Sequence, residues 1–71
     1  MDKWIPATER LPESGRFVLV SFENQPFPDI ARYEGNEEGG TFYPGYKRRS
    51  YLSYGLFVNA WMPLPKPYRV E

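Results

Sequence analysis

Between Phe42 and Tyr54 the chain carries five aromatic residues and three consecutive cations, Lys47, Arg48 and Arg49, with no acid among them. Aromatic faces can stack nucleobases while Lys and Arg engage phosphates, and each stacked base contributes on the order of 1–3 kcal/mol. Tyr and Arg are also the residues enriched at protein–protein hot spots. The segment therefore predicts a binding face, with Tyr43, Tyr46, Lys47, Arg48, Arg49, Tyr51 and Tyr54 as its candidate residues. The plainer alternative is a tyrosine-rich β-loop whose rings pack on the core and whose basic tip only aids solubility.

Catalytic chemistry finds less material. Acid–base and nucleophilic mechanisms usually draw on histidine or cysteine, and the chain has neither. Glu9, Glu13, Asp29 and Glu34 remain, but no spacing pairs them into a site, and Glu37-Glu38 reads as a solvated loop. The usual zinc sites need the two missing ligand types. Gly39-Gly40 lacks the further glycines and the following helix of a phosphate-binding loop. No enzymatic activity, metal or cofactor is expected.

Seventy-one residues allow a single domain, 1–71, with 66–71 expected to form a loose tail. A chain of this length buries only about 60–65% of its unfolded surface, so its stability is marginal without reinforcement. Disulfides are excluded, which leaves thirteen aromatic residues, or self-association into a homo-oligomer, to supply it. Net charge is zero but unevenly spread. Residues 1–40 hold eight acids and four bases, whereas residues 41–71 hold one acid and five bases. Such asymmetry can steer a partner, or bring one copy's basic half to another's acidic half. No stretch approaches the roughly 18 apolar residues of a membrane span, and no export signal opens the chain. A cytoplasmic protein that does not engage membranes is expected.

The elements that must position the segment read mainly as β. Pro6 and Pro12 limit the opening to at most a short helical turn near Thr8–Leu11. Phe17–Phe22 is the strongest strand, and its near-continuous apolarity predicts a central place in a sheet, covered on both faces. Asp29–Glu34 alternates and reads as a second strand, Gly35–Gly40 as an exposed turn, and Thr41–Tyr43 as a short third strand. Residues 46–55 stay ambiguous, and Leu56–Met62 forms the last strand before Pro63. The expected fold is a single small curved antiparallel sheet or half-open barrel of three to five strands. Trp4, Leu11, Val18, Val20, Val58 and Trp61 are its expected core.

Two proline-punctuated motifs bracket this sheet. Trp4-Ile5-Pro6, Glu9-Arg10-Leu11-Pro12-Glu13, Val18-Leu19-Val20, Ala31-Arg32-Tyr33 and Ala60-Trp61-Met62-Pro63-Leu64-Pro65 follow one ordered pattern. That pattern resembles the family catalogued as domain of unknown function 551, over most of the chain but not residues 36–55. The resemblance implies a phage or prophage setting in bacteria and no established activity. Members commonly carry histidine just before the C-terminal Trp-Met-Pro, and here that position is Ala60. Any activity resting on that histidine would be missing.

Together these readings describe a small, non-enzymatic phage or prophage accessory protein that works by binding in the host cytoplasm. The expected role is antagonism of host defence, by binding a host protein or sequestering a small nucleotide ligand between subunits. A single-stranded nucleic-acid binder is the runner-up, weakened by the zero net charge. A structural or morphogenetic phage component comes third. Display of Trp61–Pro65 as a polyproline ligand is disfavoured, because Trp61 and Met62 are too apolar for an exposed tail.

Overall fold

The computed structural model describes residues 3–68. Five strands form one antiparallel sheet: β1 (Ile5–Pro6), β2 (Phe17–Phe22), β3 (Asp29–Asn36), β4 (Gly39–Pro44) and β5 (Val58–Pro63). Their spatial order is β1-β5-β2-β3-β4, and the sheet does not close. The most apolar strand, β2, occupies the centre, as its composition predicts, but it is fully buried on one face only, not covered on both, because a single sheet is present. Ala7 and Leu11 from one side, and Gly40 and Phe42 from the other, line a shared apolar cleft of about 260 Å³.

Alternation along β2 divides the sheet into two faces. Val18, Val20 and Phe22 are buried on the inner face, whereas Phe17, Leu19 and Ser21 stay half-buried on the outer one. Register carries the inner face outward from there: Val18 lies opposite Ala31, Val20 opposite Trp61, and Tyr33 opposite Phe42. These residues and Tyr51 make up the core, with Ile5, Leu56 and Val58 packed against it. Trp61 is held by Arg10 through both its backbone and its side chain. Its Nε1–H donates to the Arg10 carbonyl at 2.9 Å, and the Arg10 guanidinium lies 5.7 Å from the ring centre.

Two of the expected core residues are not in it. Trp4 is 43% exposed and Leu11 46%. Ile5 pairs with Trp61 and takes the inward position, so alternation turns Trp4 outward. Leu11 follows a turn closed by the Pro6 carbonyl, and the buried residue there is its neighbour Pro12. Val18, Val20 and Trp61 lie in the core, with Val58 at its margin.

The β3–β4 hairpin is tighter than its composition suggests. Asn36 pairs with Gly39, which leaves only Glu37 and Glu38 as the loop. The Asn36 side-chain oxygen accepts from the Glu38 N–H at 2.8 Å, and Gly39 adopts φ +131°. Gly35 and Gly40 belong to the strands because the Tyr33 ring lies over both, where a Cβ would collide with it. They are glycines for contact, not for turning.

Among the described residues the one 3₁₀ helix is at Tyr51–Tyr54, and near the N-terminus a single turn over 7–9 is closed by the Pro6 carbonyl, which accepts from the Glu9 and Arg10 N–H groups. Ser50 caps the start of the 3₁₀ helix and Gly55, at φ +80°, ends it. Asn24 fixes the return of this segment to the sheet, donating to the Gly55 carbonyl at 2.7 Å and accepting from the Phe57 N–H at 3.0 Å. Lys66–Tyr68 carry no regular structure, and the rest of the expected loose tail, 69–71, lies outside the described residues.

Candidate binding face

The 42–54 segment contributes to both faces of the sheet. Tyr51 turns inward. It is only 3% exposed, its ring meets Phe22 edge-on at 4.9 Å, and its hydroxyl donates to Asp29 Oδ2 at 2.9 Å. The Ile30 carbonyl lies 3.2 Å from the same hydroxyl. Burial raises the Tyr51 phenol well above its ordinary value of 10.0, and the hydrogen bond and negative charge of Asp29 add to the shift. Tyr51 was expected on the binding face, and this placement corrects that reading. It is the plug that closes the inner face, because the chain must cross that face to reach β5.

Tyr43 and Tyr46 turn the other way. Tyr43 sits on the outer face opposite Arg32, whose guanidinium lies 4.8 Å from the Tyr43 ring centre. Tyr46 is 86% exposed and leans on Phe17, ring centres 5.2 Å apart. Arg32 organises this corner. It donates to Glu34 Oε2 at 3.0 Å and to the carbonyls of Gly45 at 2.6 Å and Lys47 at 3.1 Å. A planar guanidinium suits such a fork, and it fixes the loop from within the sheet.

Beside this corner runs a row that single-residue inspection of the sequence missed. Register puts Met62 opposite Leu19 and Leu19 opposite Ile30, which aligns three apolar side chains across β5, β2 and β3. Ile30 is half exposed. The signal was present in the alternation of Phe17, Leu19 and Ser21 with the inward valines, and of Ile30 and Arg32 with Ala31 and Tyr33. Register was the missing information.

The remaining candidates lie further off. Lys47, Arg48 and Arg49 are exposed, and Arg49 reaches over the Tyr54 ring at 5.4 Å. The face thus gathers Tyr43 and Tyr46 with Phe17 and Arg32, whereas Arg49 and Tyr54 pair on the 3₁₀ turn and Tyr51 is buried apart from both.

Two of the four candidate carboxylates are taken up structurally. Asp29 accepts from Tyr51, and Glu34 accepts from Arg32 and from Ser14 at 3.3 Å. Among the described residues no group of three or more metal-ligating side chains comes together. The cleft is lined mainly by apolar residues, Leu11, Leu52, Leu56 and Phe57 among them, and no cation of the described residues lines it. No described helix is long and apolar enough to cross a membrane.

A family model described as a protein of unknown function, DUF551, matches residues 3–68. No curated protein and no solved structure matches the chain.

Proposed function

We propose that this chain, which belongs to the DUF551 family, is a non-enzymatic binding module that docks a partner protein on the outer face of its sheet. The observation that carries the reading is the apolar row Met62–Leu19–Ile30, half-buried at Met62 and Leu19 and half-exposed at Ile30, beside the Arg32–Tyr43 and Phe17–Tyr46 pairs. Contiguous open apolar surface on a small soluble domain marks interaction sites, and buried Tyr and Arg anchors carry most interface energy. Arg32 holds the Tyr46 loop by its carbonyls, so little ordering cost remains to be met on binding.

A protein is favoured over a nucleotide because the cleft is apolar and gives phosphates no cation. The non-enzymatic reading is supported by the absence of histidine and cysteine from the sequence and by carboxylates already engaged with Arg32 and Tyr51. With the phage setting implied by the family resemblance, the partner is a host protein, and interference with a defence component is the role.

Affinity capture from host lysate tests this. Wild type should retain a discrete protein that Ile30→Glu with Tyr46→Ala loses, while circular dichroism shows both baits folded. Retention by the double variant would overturn the outer face as the site. Recovery of nucleic acid instead, with affinity falling steeply as salt rises, would favour the nucleic-acid reading.

A further inference from the structure

The two edges of the sheet are guarded unequally. β1 is two residues long and ends in Pro6, which presents no N–H. β4 runs for six residues, Gly39 to Pro44, with no charged side chain and no proline before its end.

Backbone bonds show what this second edge presents. The Tyr33 N–H donates to the Arg16 carbonyl at 3.0 Å, and the Tyr33 carbonyl accepts from the Gly15 N–H at 2.7 Å. Tyr33 therefore directs both backbone groups toward the β2 side and away from β4. Its partner across β4 is Phe42. In an antiparallel ladder such a non-bonded pair leaves the outer residue's N–H and carbonyl facing away from the sheet. The two-residue period adds Gly40 and Pro44. Pro44 has no N–H, and its carbonyl already accepts from the Lys47 N–H at 2.9 Å. The N–H and carbonyl of Gly40 and of Phe42 are left, and none has a partner among the described residues.

Charge flanks this edge with opposite signs. The exposed Glu37 and Glu38 stand just before β4, and the exposed Lys47, Arg48 and Arg49 just after it. The single ion pair among the described residues, Arg32–Glu34, uses none of the five.

We propose that β4 is a homodimerisation edge, on which a second copy pairs antiparallel about a two-fold axis through Thr41. In that register Gly40 of each copy lies opposite Phe42 of the other. Each such pair exchanges two hydrogen bonds, so the two pairs use every open group of the edge. Glu38 then falls opposite Pro44 of the second copy and Glu37 opposite Gly45, within side-chain reach of the neighbouring cations. The symmetry repeats this contact at the other end. A parallel or shifted pairing would lose either the bonds or the charge match. The inference goes beyond the proposed function, because it uses the sheet's edge and leaves the outer face open for a partner.

The test is sedimentation velocity on the full chain across a dilution series. Wild type should dimerise. Glu37→Lys with Glu38→Lys should weaken the dimer about tenfold or more, since like charges then meet at both ends, and Lys47→Glu with Arg48→Glu should do the same. Mixed together, the two variants should form a heterodimer close to wild-type affinity, because both ends again carry opposite charges. All four positions are exposed, so the substitutions spare the core. A wild type that stays monomeric throughout, or a dimer indifferent to these charges, overturns the proposal. Ile30→Glu keeps the two ideas apart: it should abolish partner capture and leave the dimer intact.

Discussion

The inner and outer faces of this sheet are built from alternate residues of the same strands, yet only the inner one is closed. Val18, Val20, Ala31 and Trp61 share one buried cluster with Tyr51, which the 46–57 crossing carries. Leu19 and Met62, one residue out of phase, are half-buried and Ile30 is half exposed, on the face that also carries the Phe17–Tyr46 pair. The segment after β1, through Arg10, and the 46–57 crossing, through Tyr51, both lie against the inner face. The difference teaches that apolar character alone does not identify the core of so small a domain. What distinguishes the faces is which one the connecting segments lie against.

The sharpest way to break this comparison is to remove the inner face's largest side chain. Trp61→Ala deletes the buried ring and leaves the Arg10 carbonyl without its 2.9 Å donor. The expected loss is about 3–5 kcal/mol, a large part of the stability of a chain this size. Urea denaturation measures it. A loss below about 1 kcal/mol would mean that the inner face is not the core.

A smaller and more specific effect is expected at Tyr51. Tyr51→Phe keeps the ring against Phe22 but removes the bond to Asp29, at a cost of about 1–2 kcal/mol near neutral pH. Its pH dependence has a definite sign. The folded state raises the phenol's pKa above the ordinary 10.0, so the neutral form is the one that folding favours. Below about pH 10 the phenol is neutral in both states and its contribution is intact. Above it the unfolded phenol ionises first, and stability falls with a slope of at most about 1.4 kcal/mol per pH unit. The difference between wild type and Tyr51→Phe should shrink along that limb, since the other tyrosines are common to both. A constant difference from pH 8 to pH 11 would place the hydroxyl in water.

The contrast between the faces also shows what could be read from the sequence. β2 was legible to the residue, because six consecutive apolar or small residues bounded by Gly15-Arg16 and Glu23-Asn24 admit one reading. The β3–β4 hairpin was legible as a hairpin but not in its length. Gly35 and Gly40 read as turn residues, whereas their role is to receive the Tyr33 ring, a tertiary contact. The fate of the candidate tyrosines was not legible at all. Tyr46 and Tyr51 stand five residues apart in the same polar, basic stretch, and only the path of the chain after Pro44 decides which one is buried. Trp4 illustrates the same limit: its size suggests the core, but the pairing of Ile5 with Trp61 reserves the inward place for its neighbour.

The finest test of the comparison lies at Ile30, immediately before the fully buried Ala31 on β3. Ile30→Thr keeps the β-branched shape that suits a strand and replaces apolar surface with a hydroxyl. On a closed face such a change strands an unpaired polar group and removes buried area, at a cost of about 1–3 kcal/mol. On an open face the hydroxyl is hydrated, and the change should stay within about 0.5 kcal/mol. Urea denaturation of the free protein should therefore be nearly unaltered, while partner capture weakens because the row Met62–Leu19–Ile30 is interrupted. If Ile30→Thr instead destabilises the free protein by more than about 1 kcal/mol in a manner that depends on its concentration, the outer face is already covered in solution by another copy. That outcome would move the self-association surface from the β4 edge to the face, and the two faces would no longer differ.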